Sequence, residues 1–133
     1  MKTLCISVFA LVGMMLISVD SKAQQTKQTQ ATTIEVIQFH SEHRCVTCVQ
    51  IEKMTRATLD RSFKSIPFTL VNVDDSKNAR KAEQFEATGT ALYLFNPKTG
   101  KKKDLTQFAF MKAFDDKEFE TELKKYIEDF LKG

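Results

Sequence analysis

Two cysteines three positions apart, at the boundary between a strand-like and a helix-like segment, narrow the choice of fold for this chain. Cys45 and Cys48 form a C-x-x-C pair that follows the strand-like run from Ile34 to Phe39 and opens a segment with helical spacing. A helix N-terminus presents unpaired N–H groups and the positive end of the helix dipole, and both favour a thiolate over a thiol. The pattern therefore indicates reversible exchange between a dithiol and a disulfide.

Residues 1–23 have the pattern of a signal peptide. Lys2 provides a short positive start, an apolar stretch follows from Leu4 to Val19, and small residues stand at both positions that signal peptidase reads, Ser21 and Ala23. An uncleaved membrane anchor is the alternative, but the apolar stretch is shorter than the roughly 20 residues that a spanning helix needs. We predict cleavage after Ala23 and a protein that is exported to the periplasm or secreted.

The cysteine count of the mature protein argues against a structural staple. Cys5 lies inside the predicted signal peptide, so Cys45 and Cys48 remain, and they can pair with each other or with another molecule. Small secreted folds that depend on disulfides carry several, and a bond across two intervening residues closes almost no loop. Cleavage would lower the formal net charge from +3 to about +2, which gives no reason to expect nucleic-acid binding.

The rest of the chain divides into a linker and one domain. Residues 24–33 (QQTKQTQATT) are polar and predict a flexible linker, whereas residues 34–133 contain enough apolar side chains for one compact domain. Periodicity and turn residues predict alternating strands and helices in this domain. The predicted strands are Ile34–Phe39, Phe68–Val73, Ala91–Phe95 and Lys101–Thr106, and the predicted helices run from Cys45 to about Phe63, from Ala79 to near Gly89, and from Asp115 onward.

Two of these elements carry more detailed predictions. The run from Phe68 to Val73 is almost wholly apolar and β-branched, which is typical of a central parallel strand covered on both faces. We expect the third strand to be parallel to the first two. Asp115 and Glu118 predict a capping box at the start of the last helix, and Phe114 and Phe119 predict a hydrophobic staple around it.

The element order β-α-β-α-β-β-α, with a C-x-x-C at the first strand-to-helix junction, resembles the thioredoxin superfamily over residues 34–132. The resemblance implies an α/β fold with a mixed four-stranded sheet flanked by helices. Within it, the run from His43 to Glu52 (HRCVTCVQIE) is similar to the small exported bacterial proteins called the ArsF family. The superfamily resemblance implies that Cys45 attacks a partner, that Cys48 resolves the mixed disulfide, and that the two form the redox disulfide.

The chain departs from the superfamily pattern at two positions. The loop before the third strand usually carries a cis-proline, but here Thr90 or Ala91 stands at that place. Since a non-proline cis bond costs roughly 2.5 to 4 kcal/mol, a trans peptide is expected there. The buried acid below the second cysteine is replaced by Gln38, which leaves Glu42, Glu52 or water as the proton acceptor for Cys48.

Several neighbours of the cysteines are candidates for the surface that contacts a substrate. Arg44 and His43 stand beside Cys45, where a positive charge lowers the pKa of a thiol. The resemblance places the loop before the third strand on the same surface. The predicted substrate-binding residues are His43, Arg44, Val46, Thr47, Thr90 and Ala91.

These observations predict an exported thiol-disulfide oxidoreductase that acts as a monomer without a cofactor. Its partners would be protein disulfides or dithiols and a membrane-bound or soluble redox protein, and the exchange can run in either direction. One alternative is a metal or metalloid-binding protein, because imidazole and thiolate groups suit soft metals and His40, His43, Cys45 and Cys48 lie close in sequence. Their position within one short segment is unlike the two separated knuckles of structural zinc sites. An accessory subunit with regulatory cysteines is the other alternative.

Overall fold

The computed structural model describes residues 34–133, so the predicted signal peptide and linker lie outside the described residues. Four strands and four α-helices account for most of this part of the chain. They are β1 (Glu35–His40), α1 (Val46–Ser62), β2 (Phe68–Asn72), a 3-10 turn (Ser76–Asn78), α2 (Ala79–Gln84), β3 (Ala91–Phe95), β4 (Lys102–Asp104), α3 (Thr106–Lys112) and α4 (Asp116–Leu131). No helix in residues 34–133 is long and apolar enough to cross a membrane.

The four strands form one mixed sheet in the order β2-β1-β3-β4. β1 pairs in parallel with β2 and antiparallel with β3, and β4 pairs antiparallel with β3. With helices on its flanks, this sheet gives the thioredoxin-like α/β fold that the sequence predicted. β1, which leads into the C-x-x-C, is a central strand with hydrogen-bonded neighbours on both sides.

The prediction for β2 was wrong, because this strand lies at the edge of the sheet and β1 takes the central place. Val71 is buried, whereas Phe68 and Leu70 are only half-buried. An apolar run in a sequence indicates that other elements cover the strand. It does not indicate whether the strand pairs with one neighbour or with two, so it could not distinguish an edge strand from a central one.

The predicted direction of β3 was also wrong, since β3 is antiparallel to β1 and its first residue, Ala91, pairs with Phe39 near the end of β1. The length of α2 gives the physical reason. Its six residues span about 9 Å, whereas crossing back over a five-residue strand requires about 17 Å. Glu86, with a positive φ of 54°, lies just after the helix, which ends before the predicted limit near Gly89. The chain therefore re-enters the sheet at the end where β2 leaves it.

The sheet buries a different apolar cluster on each face. Val36 of β1 belongs to the cluster formed with α1, α3 and α4, whereas Ile37 and Phe39 belong to the cluster formed with Phe85, beyond the end of α2. Gln38 alternates with these residues and shares the face of Val36. The side chain of Gln38 therefore points toward α1, the helix that carries the cysteines.

A short helix, α3, was not predicted, and β4 is shorter than expected because of it. The strand ends at Asp104, whose carboxylate accepts a hydrogen bond from the backbone N–H of Thr106 at 2.7 Å. Phe108 and Ala109 are buried, and Phe108 packs against Phe119 of α4 with ring centroids 5.0 Å apart. The segment between β4 and α4 thus contributes to the core as a helix.

Asp115 is the N-cap residue of α4, as predicted. The predicted capping box is only half formed, and the predicted hydrophobic staple does not form. The Asp115 carboxylate accepts a hydrogen bond from the backbone N–H of Glu118 at 3.0 Å. In a full capping box the side chain of Glu118 would accept a hydrogen bond from the N–H of Asp115. Here that N–H donates instead to the carbonyl of Lys112 in α3. Phe114 is 69% exposed and makes no staple, since Phe108 already packs on the ring of Phe119.

Three consecutive lysines line the edge strand β4 and each covers an aromatic ring. The Nζ atoms of Lys101, Lys102 and Lys103 lie 5.2 to 5.4 Å from the ring centroids of Phe130, Phe85 and Tyr126, respectively. Such cation–π contacts let the aliphatic stems cover apolar surface while the ammonium groups stay in water. This edge of the sheet is therefore charged on its outside.

Candidate active site

Cys45 and Cys48 stand at the first turn of α1 with their sulfur atoms at disulfide-bonding distance, 2.18 Å. Cys45 is the N-cap residue, and its sulfur accepts a hydrogen bond from the backbone N–H of Cys48 at 3.2 Å. Cys45 is exposed, whereas Cys48 is 5% exposed and faces the core. A partner molecule can therefore reach the outer sulfur directly, while the inner sulfur is shielded.

Gln38 of β1 lies on the buried side of Cys48. Its side chain is fully buried, and its Nε2 donates a hydrogen bond to the backbone carbonyl of Cys48 at 2.9 Å. The other amide atom, Oε1, is buried without a hydrogen-bond partner among the described residues. This neutral amide thus holds the first turn of α1 against β1.

Thr90 approaches the disulfide from the loop that precedes β3, as the sequence predicted for this loop. Its hydroxyl donates a hydrogen bond to the sulfur of Cys48 at 2.9 Å. Peptide bonds throughout residues 34–133 are trans, in agreement with the expectation for a loop without proline. Ala91 is buried as the first residue of β3, so of the two loop candidates Thr90 presents its side chain to the cysteines.

The side chain of Arg44 pairs with Glu52 on the next turns of α1. Glu52 accepts hydrogen bonds from Arg44 at 2.5 Å and from Arg56 at 2.9 Å. Burial acts to raise the pKa of Glu52, but the hydrogen bonds from Arg44 and Arg56 outweigh it and hold that pKa below its usual range. Glu52 is therefore an ionised partner of two arginines at neutral pH, and the charge of Arg44 is largely compensated.

The remaining predicted site residues surround the exposed sulfur. His43 is exposed, Val46 is 77% exposed, and Thr47 is half-buried within the C-x-x-C turn. The loop before the cysteines is tied to the segment after β2, because the backbone N–H of Glu42 donates a hydrogen bond to the carboxylate of Asp74 at 2.7 Å. The surface beside Cys45 thus combines a free apolar side chain with an imidazole.

The soft-metal hypothesis finds no assembled ligand set in residues 34–133. No three side chains of His, Cys, Asp or Glu in this part of the chain are grouped so that they could hold a metal ion. The ring nitrogen Nδ1 of His40 lies 2.9 Å from the carbonyl oxygen of Ser41, in its own loop. Both cysteine sulfurs are engaged with each other.

Sequence reasoning placed the loop of Thr90 near the cysteines and grouped Thr90 with the substrate-binding residues, but it did not predict the hydrogen bond from the hydroxyl to Cys48. The available signal was a hydroxyl side chain next to the position where the superfamily carries proline. It also treated Glu52 as a possible proton acceptor, although the i, i+4 spacing of Glu52 and Arg56 is typical of an ion pair, and the structure contains that pair. The additional pairing with Arg44 depends on how the loop enters α1.

Comparisons with known proteins add little to this site. No family model matches the chain, and no curated protein matches it. A solved structure described as "Structure of a malarial protein" is 23% identical, with a TM-score of 0.43, and the match covers 61% of this chain and 96% of that one. At this level of similarity the neighbour indicates neither a family nor a function.

Proposed function

We propose that the protein is an exported thiol-disulfide oxidoreductase of the thioredoxin superfamily, similar to the ArsF family, that acts on disulfides or dithiols of other proteins. One observation carries the proposal: an exposed cysteine at a helix N-cap is bonded to a shielded cysteine one turn later. A bond that closes so short a loop contributes little as a staple. Reactivity is then the remaining reason for the pair.

The proposed reaction is a pair of thiol-disulfide exchanges. The Cys45 thiolate attacks a partner disulfide, one partner sulfur leaves as a thiolate, and a mixed disulfide through Cys45 remains. The Cys48 thiolate then attacks the sulfur of Cys45, which releases the second partner thiolate and forms the Cys45–Cys48 disulfide. Run in reverse, the same steps oxidise a partner dithiol. A membrane-bound or soluble redox protein would restore the starting state.

The first turn of α1 supplies most of the activation of Cys45 in this proposal. The N–H of Cys48 already points at the sulfur of Cys45 at 3.2 Å, in the position to stabilise a thiolate there. Arg44 contributes less than its place in the sequence indicates, because Glu52 compensates its charge. The helix N-terminus is therefore the main source of stabilisation.

A disulfide-reduction assay tests the proposed function. The mature protein, supplied with a dithiol donor, should reduce an exposed protein disulfide with multiple turnovers. Cys45→Ser should abolish turnover because the nucleophile is lost, whereas Cys48→Ser should stop after one turnover as a covalent adduct detectable by mass spectrometry. The doubly substituted protein provides the background rate. Full activity of the Cys45 variant, or a folded native protein without turnover, would refute the proposal.

A further inference from the structure

The hydroxyl of Thr90 contacts the sulfur that the proposed exchange would release. The distance from Thr90 Oγ1 to Cys48 Sγ is 2.9 Å, and within residues 34–133 this is the one side-chain hydrogen bond to either sulfur of the pair. Cys48 is 5% exposed. A negative charge on this sulfur would therefore depend on protein groups for its stabilisation, because water has little access to it.

The other polar groups around Cys48 are engaged elsewhere. The amide nitrogen of Gln38 is used by the backbone carbonyl of Cys48, and its remaining atom, Oε1, is an acceptor that cannot stabilise an anion. The carboxylate of Glu52 is held by Arg44 and Arg56. The hydroxyl of Thr90 is thus the donor that is aimed at the buried sulfur.

We propose that Thr90 is a catalytic residue that stabilises the Cys48 thiolate released when a partner thiolate opens the Cys45–Cys48 disulfide, an inference that rests on the proposed function. In this step the partner sulfur bonds to Cys45 Sγ, the bond between the two cysteines breaks, and its electron pair stays on Cys48 Sγ. Thr90 keeps its proton and donates a hydrogen bond to the new anion. No other reactant is required.

The energetic argument depends on the change in charge during the step. A hydrogen bond to an ionised acceptor is roughly twice as strong as one to a neutral acceptor, so the contact strengthens as the disulfide opens. An interaction that strengthens on the way to the transition state accelerates the reaction, whereas one that is uniform throughout does not. In the opposite direction the same bond keeps Cys48 ionised and ready to attack the mixed disulfide.

The ionisation of Cys48 tests this role without any substrate. In a Cys45→Ser background, where Cys48 is the remaining thiol of the mature protein, thiolate absorbance is followed against pH. Thr90→Val should move the midpoint upward by about one pH unit, because the charged form loses a hydrogen bond. Thr90→Ser should keep the midpoint near that of the parent, and Thr121→Val, an exposed position on α4, serves as the matched control.

The opening of the disulfide provides the kinetic test. With both cysteines present, a small thiol such as glutathione should open the oxidised Thr90→Val protein roughly three-fold to ten-fold more slowly, since a poorer leaving thiolate slows exchange. Thr90→Ala gives a second variant if the valine packs poorly, and urea midpoints verify that each variant is folded.

Equal midpoints and rates for the native, Val and Ser proteins would overturn the inference while leaving the proposed function intact. If Thr90→Val shifts the midpoint but the native protein turns over no protein disulfide, the contact is supported and the proposed function is refuted.

Discussion

At the scale of single residues, Glu52 links the loop before the cysteines to the body of α1. Its carboxylate pairs with Arg44 and Arg56, and both Glu52 and Arg44 are largely covered by neighbouring groups. The guanidinium of Arg44 has two further nitrogens, Nε and Nη2, buried without partners among the described residues. Loss of Glu52 would leave that buried charge uncompensated, which is the costly way to break such a pair.

Glu52→Gln should therefore lower the free energy of unfolding by about 1–2 kcal/mol at pH 7. Because the folded pKa of Glu52 lies below its ordinary value, its contribution is present above the unfolded pKa of about 4.3 and is lost as the pH falls through the folded pKa. The native and variant proteins should then converge in urea titrations at acidic pH. Glu128→Gln, an exposed position with no ion pair in residues 34–133, is the control.

The two cysteines should also differ in reactivity once reduced. Cys45 is exposed at the helix N-cap and Cys48 is 5% exposed, so alkylation at mildly acidic pH should label Cys45 first. Peptide mapping after a short pulse of iodoacetamide measures the order. Faster labelling of Cys48 would contradict the assignment of Cys45 as the nucleophile.

At the scale of elements, the N-cap residue Asp115 stabilises the start of α4. The carboxylate of Asp115 satisfies the N–H of Glu118, one of the unpaired donors at the helix start. Asp115→Ala should lower stability by about 1 kcal/mol, measured by urea unfolding. Asp129→Ala, near the opposite end of the helix, should change stability by less than about 0.5 kcal/mol, since its contact with Lys132 is exposed. Equal losses of stability in the two variants would contradict a stabilising role for the Asp115 cap.

Local patterns in the sequence were enough to predict the strand, the C-x-x-C turn and the helix around the site. Cys48, Ile51, Met54 and Thr58 recur at helical spacing in the sequence, and all four are buried on one face of α1. A helix of 17 residues repeats its apolar spacing several times, so the pattern is clear. The seven residues of α3 repeat it barely twice, and Phe110 and Met111 face solvent, which hides its amphipathic character.

Strand order and direction could not be predicted from the same patterns. β2 and β1 are both apolar runs, and what makes β1 central is that β3 returns to its free side. That return depends on the length of α2 and on the positive φ of Glu86, a residue whose side chain gives no sign of it. The resemblance placed the loop of Thr90 near the cysteines, but spacing in the sequence could not predict the hydrogen bond from Thr90 to Cys48, which depends on this return.

At the scale of the whole molecule, we expect the disulfide to contribute little to stability, because it closes a very short loop. The apolar clusters on both faces of the sheet, with Phe39, Phe85 and Phe119 fully buried, form a core that does not include the disulfide bond. Cys45 and Cys48 also belong to the same turn of α1, so reduction separates no elements.

The reduced protein should therefore stay folded. Its urea midpoint should differ from that of the oxidised protein by a small amount that reflects the active-site geometry and the ionised thiol rather than the entropy of the unfolded chain. Equilibrium unfolding of both forms, followed by far-ultraviolet circular dichroism, measures the difference. If reduction unfolded the protein, the cysteine pair would be a staple and the case for a redox role would lose its main support.

The lysines at β4 discourage another chain from adding a strand at this edge of the sheet. An open sheet edge is a template to which an unpaired strand of another chain can add. Here that edge strand is three residues long, and two of its residues, Lys102 and Lys103, carry ammonium groups, as does the adjoining Lys101. A protein substrate of the proposed reaction would thus be discouraged from adding a strand at β4, whereas the exposed sulfur of Cys45 stays open to it.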